Sequence, residues 1–258
     1  MQRPKRARLS INVMIPNMLT LLALCSGLTA VRFAYEGRWE HAALAIAAAA
    51  VLDALDGRIA RLLKGATKFG AELDSLSDML CFGVAPGLIL YFWALEKIGR
   101  FGWILVLLYA VACALRLARF NTATDDPEPP AWSGIFFTGI PAPAAAGLVL
   151  LPMVISFNLW EEFFRRPEVV SAFMILVSGL MVSRIPTYSF KKAKLKPSWI
   201  LPIMLAVGLF AAGMLSAPWT TISFALLGYL ASIPFSIRSY RAMEKRVASG
   251  EIFEDDDD

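Results

Sequence analysis

Four aspartates, Asp53, Asp56, Asp74 and Asp78, lie within 26 residues of a chain that is otherwise strongly apolar. Carboxylates among apolar helices are costly and are seldom kept without a partner or a function. Asp53 and Asp56 are three residues apart, and Asp74 and Asp78 four apart, so each pair falls on one face of a helix. Two such faces turned toward each other form a four-carboxylate cage. Unaided, the carboxylates would repel one another and take up protons, whereas hard divalent cations with oxygen ligands would balance them. The stretch therefore reads first as a metal site.

The residues between the pairs suit phosphate. Gly57 follows Asp56, Ala60 precedes Arg61, and Gly70 stands one helical turn before Asp74. Small residues there let a backbone or a phosphate come close, and Arg61 can meet phosphate oxygens bidentately. Two divalent ions in such a cage would clamp a diphosphate and stabilise a departing phosphate oxygen. A neighbouring carboxylate, with Asp78 the natural candidate, would take a proton from an attacking hydroxyl. Simple charge pairing with Arg58, Arg61, Lys64 and Lys68 would not require this spacing or the interleaved glycines.

The elements that must position these groups are membrane helices. Of 258 residues, 57% are hydrophobic and 18% charged, and the mean hydropathy is +0.59, values of a polytopic membrane protein. Apolar stretches near 14–34, 39–63, 73–94, 101–121, 139–158, 168–188, 198–215 and 217–237 predict an all-α bundle of about eight transmembrane helices. Pro16 and Asn17 suit the start of the first helix and Pro141 and Pro143 that of the fifth. Residues 1–245 read as one catalytic membrane domain with a short basic N-terminal segment, and 246–258 as an acidic cytoplasmic tail. With the N-terminus inside, 19 of the 25 Lys and Arg residues fall on the cytoplasmic side. Both termini and the aspartates are then expected there. The Lys191–Lys196 run reads as a membrane-surface anchor. The spread of basic residues over short loops argues against nucleic acid as a partner. Cys25, Cys81 and Cys113 have no metal-ligand spacing, and His41, the only histidine, flanks a span.

The spaced residues resemble the signature of the CDP-alcohol phosphotransferases, D-x2-D-G-x2-A-R-x8-G-x3-D-x3-D, matching Asp53, Asp56, Gly57, Ala60, Arg61, Gly70, Asp74 and Asp78 at every fixed position. The resemblance implies two divalent cations, Mg2+ or Mn2+, held by Asp53, Asp56, Asp74 and Asp78, with Asp78 also the base for the acceptor hydroxyl. It places Asn17, Gly57, Ala60, Arg61 and Gly70 on the CDP and phosphate side. The segments PNMLTLLALCSG, FGAELDSLSDMLCFGVAP, ALRLARFN and FTGIPAPAAAG are similar to the bacterial serine-accepting branch of that family. The implied substrates are CDP-diacylglycerol and L-serine, among membrane lipids and in a homodimer. Arg116 and Arg119, with Asn121 just after them, can bind an acceptor carboxylate or a lipid phosphate, or Arg116 and Arg119 can anchor the positive-inside face. Another alcohol (glycerol phosphate, inositol or choline) remains the nearest alternative, and an ion-coupled transporter a more distant one.

Overall fold

The structure, a computed structural model, describes residues 11–63, 67–124, 136–188 and 199–248. The N-terminal basic cluster, Lys64, the Lys191–Lys196 run and the four terminal aspartates lie outside the described residues.

The chain begins with a helical hairpin, α1 (Ile11–Tyr35) and α2 (Trp39–Leu62), packed along most of its length. The inward face of α2 carries Ala42, Ala43, Ile46 and Ala49 and ends on buried Asp56. The three- and four-residue steps of this stripe continue through Asp53, so the seam that seats α2 also turns the first aspartates inward. Thr67, in extended conformation, caps α3 (Lys68–Asp78) by accepting the Gly70 amide at 3.0 Å. The rod runs on through a π-helical turn, Met79–Val84, into α4 (Ala85–Trp93), giving one apolar helix over Lys68–Trp93. In the π turn the Phe82 carbonyl accepts the Tyr109 hydroxyl at 2.9 Å. The Cys81 thiol reaches the Ala23 carbonyl of α1 at 3.3 Å. The irregular turn is thus tied to α1 and to the helix that carries Tyr109 directly after Asp78.

A short 3-10 turn (Leu95–Ile98) leads to α5 (Arg100–Thr124). Strand β1 (Phe136–Thr138) precedes α6 (Ala142–Ser156), whose Pro141 is the N-cap and Pro143 a first-turn residue. α6 is the centre of the core, with Ala142, Ala145, Ala146 and an unbroken buried run from Leu148 to Val154. The short α7 (Glu161–Phe164), α8 (Pro167–Val182), strand β2 (Pro186–Tyr188), α9 (Ile200–Ser216) and α10 (Pro218–Ala248) complete the described chain. No residue of α9 is buried; it packs against α10.

Four helical segments, Met14–Tyr35, Lys68–Trp93, Arg100–Thr122 and Pro218–Met243, are long and apolar enough to cross a membrane, and α6, α8 and α9 are shorter apolar helices. With α2 they account for the eight predicted spans. Leu21, Leu22, Val111, Leu115, Leu205, Leu209 and Phe224 stand on their outer faces, a surface suited to lipid rather than water. Two local expectations are corrected. Pro16 lies inside α1, which starts at Ile11. The predicted helix over 168–188 stops at Val182, where Ser183 turns extended (ψ 159°). Pro186 then opens β2, paired antiparallel with β1 in the register Phe137↔Thr187. Proline four residues beyond the helix end cannot continue the helical ladder, and here the chain makes a two-stranded ribbon instead.

Candidate active site

The aspartates converge as their spacing predicts, from the C-terminal part of α2 and the length of α3. Carboxylate oxygens of Asp53, Asp56 and Asp74 lie within 4.8 Å of one another. Asp53 is the middle member, within hydrogen-bonding reach of both Asp74 and Asp78. Asp78 joins the group through Asp53, and its Oδ1 is buried with no hydrogen-bond partner among the described residues. Asp56 has the least exposed surface of the four, 4%. Its Oδ2 lies 2.6 Å from the Thr20 hydroxyl of α1, which also approaches the Pro16 carbonyl at 3.1 Å. The shorter contact, to the acidic oxygen, is the stronger one.

Among the described residues, nothing positive neutralises this cluster by direct pairing. The ion pairs among the described residues join Arg32 and Arg38 to Glu36, and Arg165 to Glu161. Pairing with Arg58, Arg61 or Lys68 is therefore not what holds the carboxylates together. An all-oxygen donor set, close enough to share ions and ending on an orphaned carboxylate oxygen, fits hard divalent cations. Asp53, Asp56 and Asp74 would hold one directly, with Asp78 available beside Asp53.

A cavity of about 210 Å³ opens beside the cluster. Pro16, Asn17 and Thr20 of α1 line it, with Asp56, Gly57, Ala60 and Arg61 of α2 and Thr67, Gly70, Ala71 and Asp74 at the start of α3. Every residue expected on the CDP and phosphate side is in this wall, and the two glycines have different reasons to be there. A Cβ on Gly70 would stand 2.9 Å from Asn17 Oδ1, so glycine lets α1 and α3 approach at Asn17. A Cβ on Gly57 would meet nothing within 4 Å. Among the described residues no contact demands glycine at position 57, which lines the cavity.

The three residues expected on the acceptor side are placed differently from one another. Asn121 donates from Nδ2 to Ser75 Oγ at 3.0 Å, tying α5 to α3 next to Asp74. Arg116 lies half-buried within electrostatic reach of Asp53 and Asp78, its guanidinium 5.5 Å from the Phe120 ring centre. Arg119 turns away. Its guanidinium donates to the Val182, Met181 and Ser183 carbonyls at 2.9, 3.1 and 3.1 Å, satisfying the end of α8. Gly139, at φ +79°, passes under this contact, and a Cβ there would lie 3.1 Å from Arg119 Nη2. Thr20 and Ser75 were not singled out in the sequence. Thr20 had a weak signal, being one turn after Asn17 on the same helix face.

A family model described as CDP-alcohol phosphatidyltransferase matches residues 13–183. The chain belongs to the CDP-alcohol phosphatidyltransferase family. A second model, CDP-alcohol phosphatidyltransferase 2, matches 198–234, within the α9 and α10 region. The CDP-diacylglycerol--serine O-phosphatidyltransferase of Mycobacterium tuberculosis (strain CDC 1551 / Oshkosh) is 40% identical over 237 residues, 92% of this chain and 82% of that protein. The protein of the same name from Helicobacter pylori (strain 26695) is 35% identical over 84% of this chain and 88% of its own length. An archaetidylserine synthase of Methanothermobacter thermautotrophicus is 36% identical over 67% of this chain and 69% of its own. As a CDP-alcohol phosphatidyltransferase with this run of apolar helices, the chain is an integral membrane enzyme, and the transporter reading falls away.

Proposed function

We propose that this enzyme transfers the phosphatidyl group of CDP-diacylglycerol to the hydroxyl of L-serine, giving phosphatidylserine and CMP. The reaction class rests on the carboxylate cluster beside the cavity. The choice of serine rests on the relatives, whose names differ in the lipid, phosphatidyl or archaetidyl, and agree on serine. Asp53, Asp56, Asp74 and Asp78 would hold two divalent cations, Mg2+ or Mn2+, which when bound neutralise the diphosphate and the departing phosphate oxygen.

The remaining steps belong to the chain's own groups. Asn17, Gly57, Ala60, Arg61 and Gly70 seat the CDP moiety in the cavity. Arg61, which has no ion pair among the described residues, meets a phosphate oxygen. Asp78 accepts the proton of the serine hydroxyl. The serine oxygen forms a bond to the phosphorus that carries diacylglycerol, the bond from that phosphorus to the CMP oxygen breaks, and CMP leaves. Arg116 supplies the cation for the acceptor's carboxylate, and Asn121 fixes α5 against α3 beside it. Arg119, with three of its N–H donors on carbonyls at the end of α8, serves the site by holding that helix.

The active site faces the cytoplasm of a bacterial cell, residues 1–245 form the catalytic membrane domain, 246–258 form a cytoplasmic tail, and the enzyme works as a homodimer. The positive-inside count supports the orientation. A panel of radiolabelled acceptors tests the central assignment. With purified protein and CDP-diacylglycerol, label from serine should enter lipid, and label from glycerol phosphate, inositol or choline should not. Transfer to one of those alcohols in place of serine would reject the choice of acceptor.

A further inference from the structure

Beyond the cluster, one side chain from the far end of the chain reaches the same point. Tyr229, on α10, places its hydroxyl within electrostatic reach of the Arg116 guanidinium. That hydroxyl is buried and makes no hydrogen bond among the described residues. Thr187 of β2 lies beside it, and its single hydroxyl proton goes to the Gly139 carbonyl at 2.8 Å, so it does not donate to the Tyr229 oxygen. Asp78, also within electrostatic reach of Arg116, has an Oδ1 that is likewise buried and makes no hydrogen bond among the described residues. Buried polar atoms are almost always satisfied in folded proteins, so two orphans within electrostatic reach of one guanidinium point to a ligand that meets all three.

The three groups define what that ligand must carry. Arg116 has donors and no acceptor, Tyr229 has a hydroxyl to donate, and Asp78 when ionised only accepts. A small molecule with a carboxylate at one end and a hydroxyl at the other satisfies all three. In serine only three bonds separate the carboxylate carbon from the hydroxyl oxygen. Choline and inositol have no carboxylate to offer. β2, against which α10 packs, brings Thr187 to the Tyr229 hydroxyl. This gives the unexpected ribbon a purpose.

We propose that Tyr229 is an acceptor-recognition residue, its hydroxyl joining Arg116 in binding the carboxylate of the amino acid whose own hydroxyl faces Asp78. The assignment rests on the serine reading above and adds a specificity contact from α10. Tyr229→Phe removes only the unbonded hydroxyl, so the fold should keep its thermal midpoint. In the full-length purified enzyme the variant should raise the KM for serine roughly tenfold. The KM for CDP-diacylglycerol and the Mn2+ concentration for half-activity should stay unchanged. Arg116→Lys, which keeps the charge and loses the fork, should show the same selective effect on serine. An unchanged serine KM in Tyr229→Phe overturns the proposal, as does a parallel loss for both substrates together with a lowered thermal midpoint. If wild-type enzyme transfers to no serine at all, the serine reading fails and this assignment with it. Serine transfer by wild type with an indifferent Tyr229→Phe variant sinks the assignment alone.

Discussion

Replacing Thr20 with valine isolates the support behind the least exposed of the four aspartates. Thr20 and Asp56 are each 4% exposed, and their 2.6 Å contact is buried between α1 and α2. Valine keeps the shape and removes the hydroxyl, so packing is preserved while Asp56 loses its orienting partner. A hydrogen bond to a charged group contributes about 1.5–3 kcal/mol, which converts to roughly a ten- to hundredfold change in an equilibrium constant. Loss of an outer partner to a metal ligand costs affinity on the same scale, about 10- to 100-fold. The expected result is therefore a rise of that size in the Mn2+ concentration giving half-maximal CMP release from CDP-diacylglycerol. The rate at saturating Mn2+ should recover substantially, and Thr20→Ser should restore the wild-type value. An unchanged Mn2+ requirement in Thr20→Val would refute the claim that α1 orients the cluster through this hydroxyl.

Other substitutions separate roles that look alike in sequence. Gly57→Ala places a methyl in open space, so the KM for CDP-diacylglycerol should rise severalfold with no change in thermal midpoint. Gly70→Ala drives a methyl to 2.9 Å from Asn17 Oδ1 and should lower both activity and thermal midpoint. Asp78→Asn should remove most of the turnover while leaving CDP binding, followed by equilibrium dialysis, largely intact; a fully active variant would sink the base assignment. Arg119→Ala deletes three contacts to the end of α8 and should cost about 2 kcal/mol of stability with little change in the KM for serine.

The reacting groups were legible because their chemistry contradicts their surroundings. Asp53, Asp56, Asp74 and Asp78 stand out in apolar helices, and helical periodicity alone sets each pair on one face. Gly57, Ala60, Arg61 and Gly70 were legible through their fixed offsets from those aspartates, and all four line the cavity. The supporting groups were harder to see. Thr20 looks like any threonine bonding back to its own helix, and only the tertiary approach of α2 shows that Asp56 is its partner. The π turn after Asp78 has no local composition that distinguishes it from α-helix, since it is fixed by contacts with α1 and α5. Arg116 and Arg119 share a spacing that suggests a joint role, yet Arg119 ends on carbonyls of a helix more than 60 residues away. Tyr229 carried no sequence signal at all. Its significance arises from which groups lie beside its hydroxyl, a long-range fact that spacing along the chain does not contain.

The most direct test of the account is incorporation of radiolabelled L-serine into lipid by purified full-length protein supplied with CDP-diacylglycerol. Label should enter phosphatidylserine in step with CMP release when Mg2+ or Mn2+ is present, and both should stop on chelation and return when the cation is restored. Lipid labelling that persists after complete chelation, or CMP release that is indifferent to serine while no serine enters lipid, would contradict it.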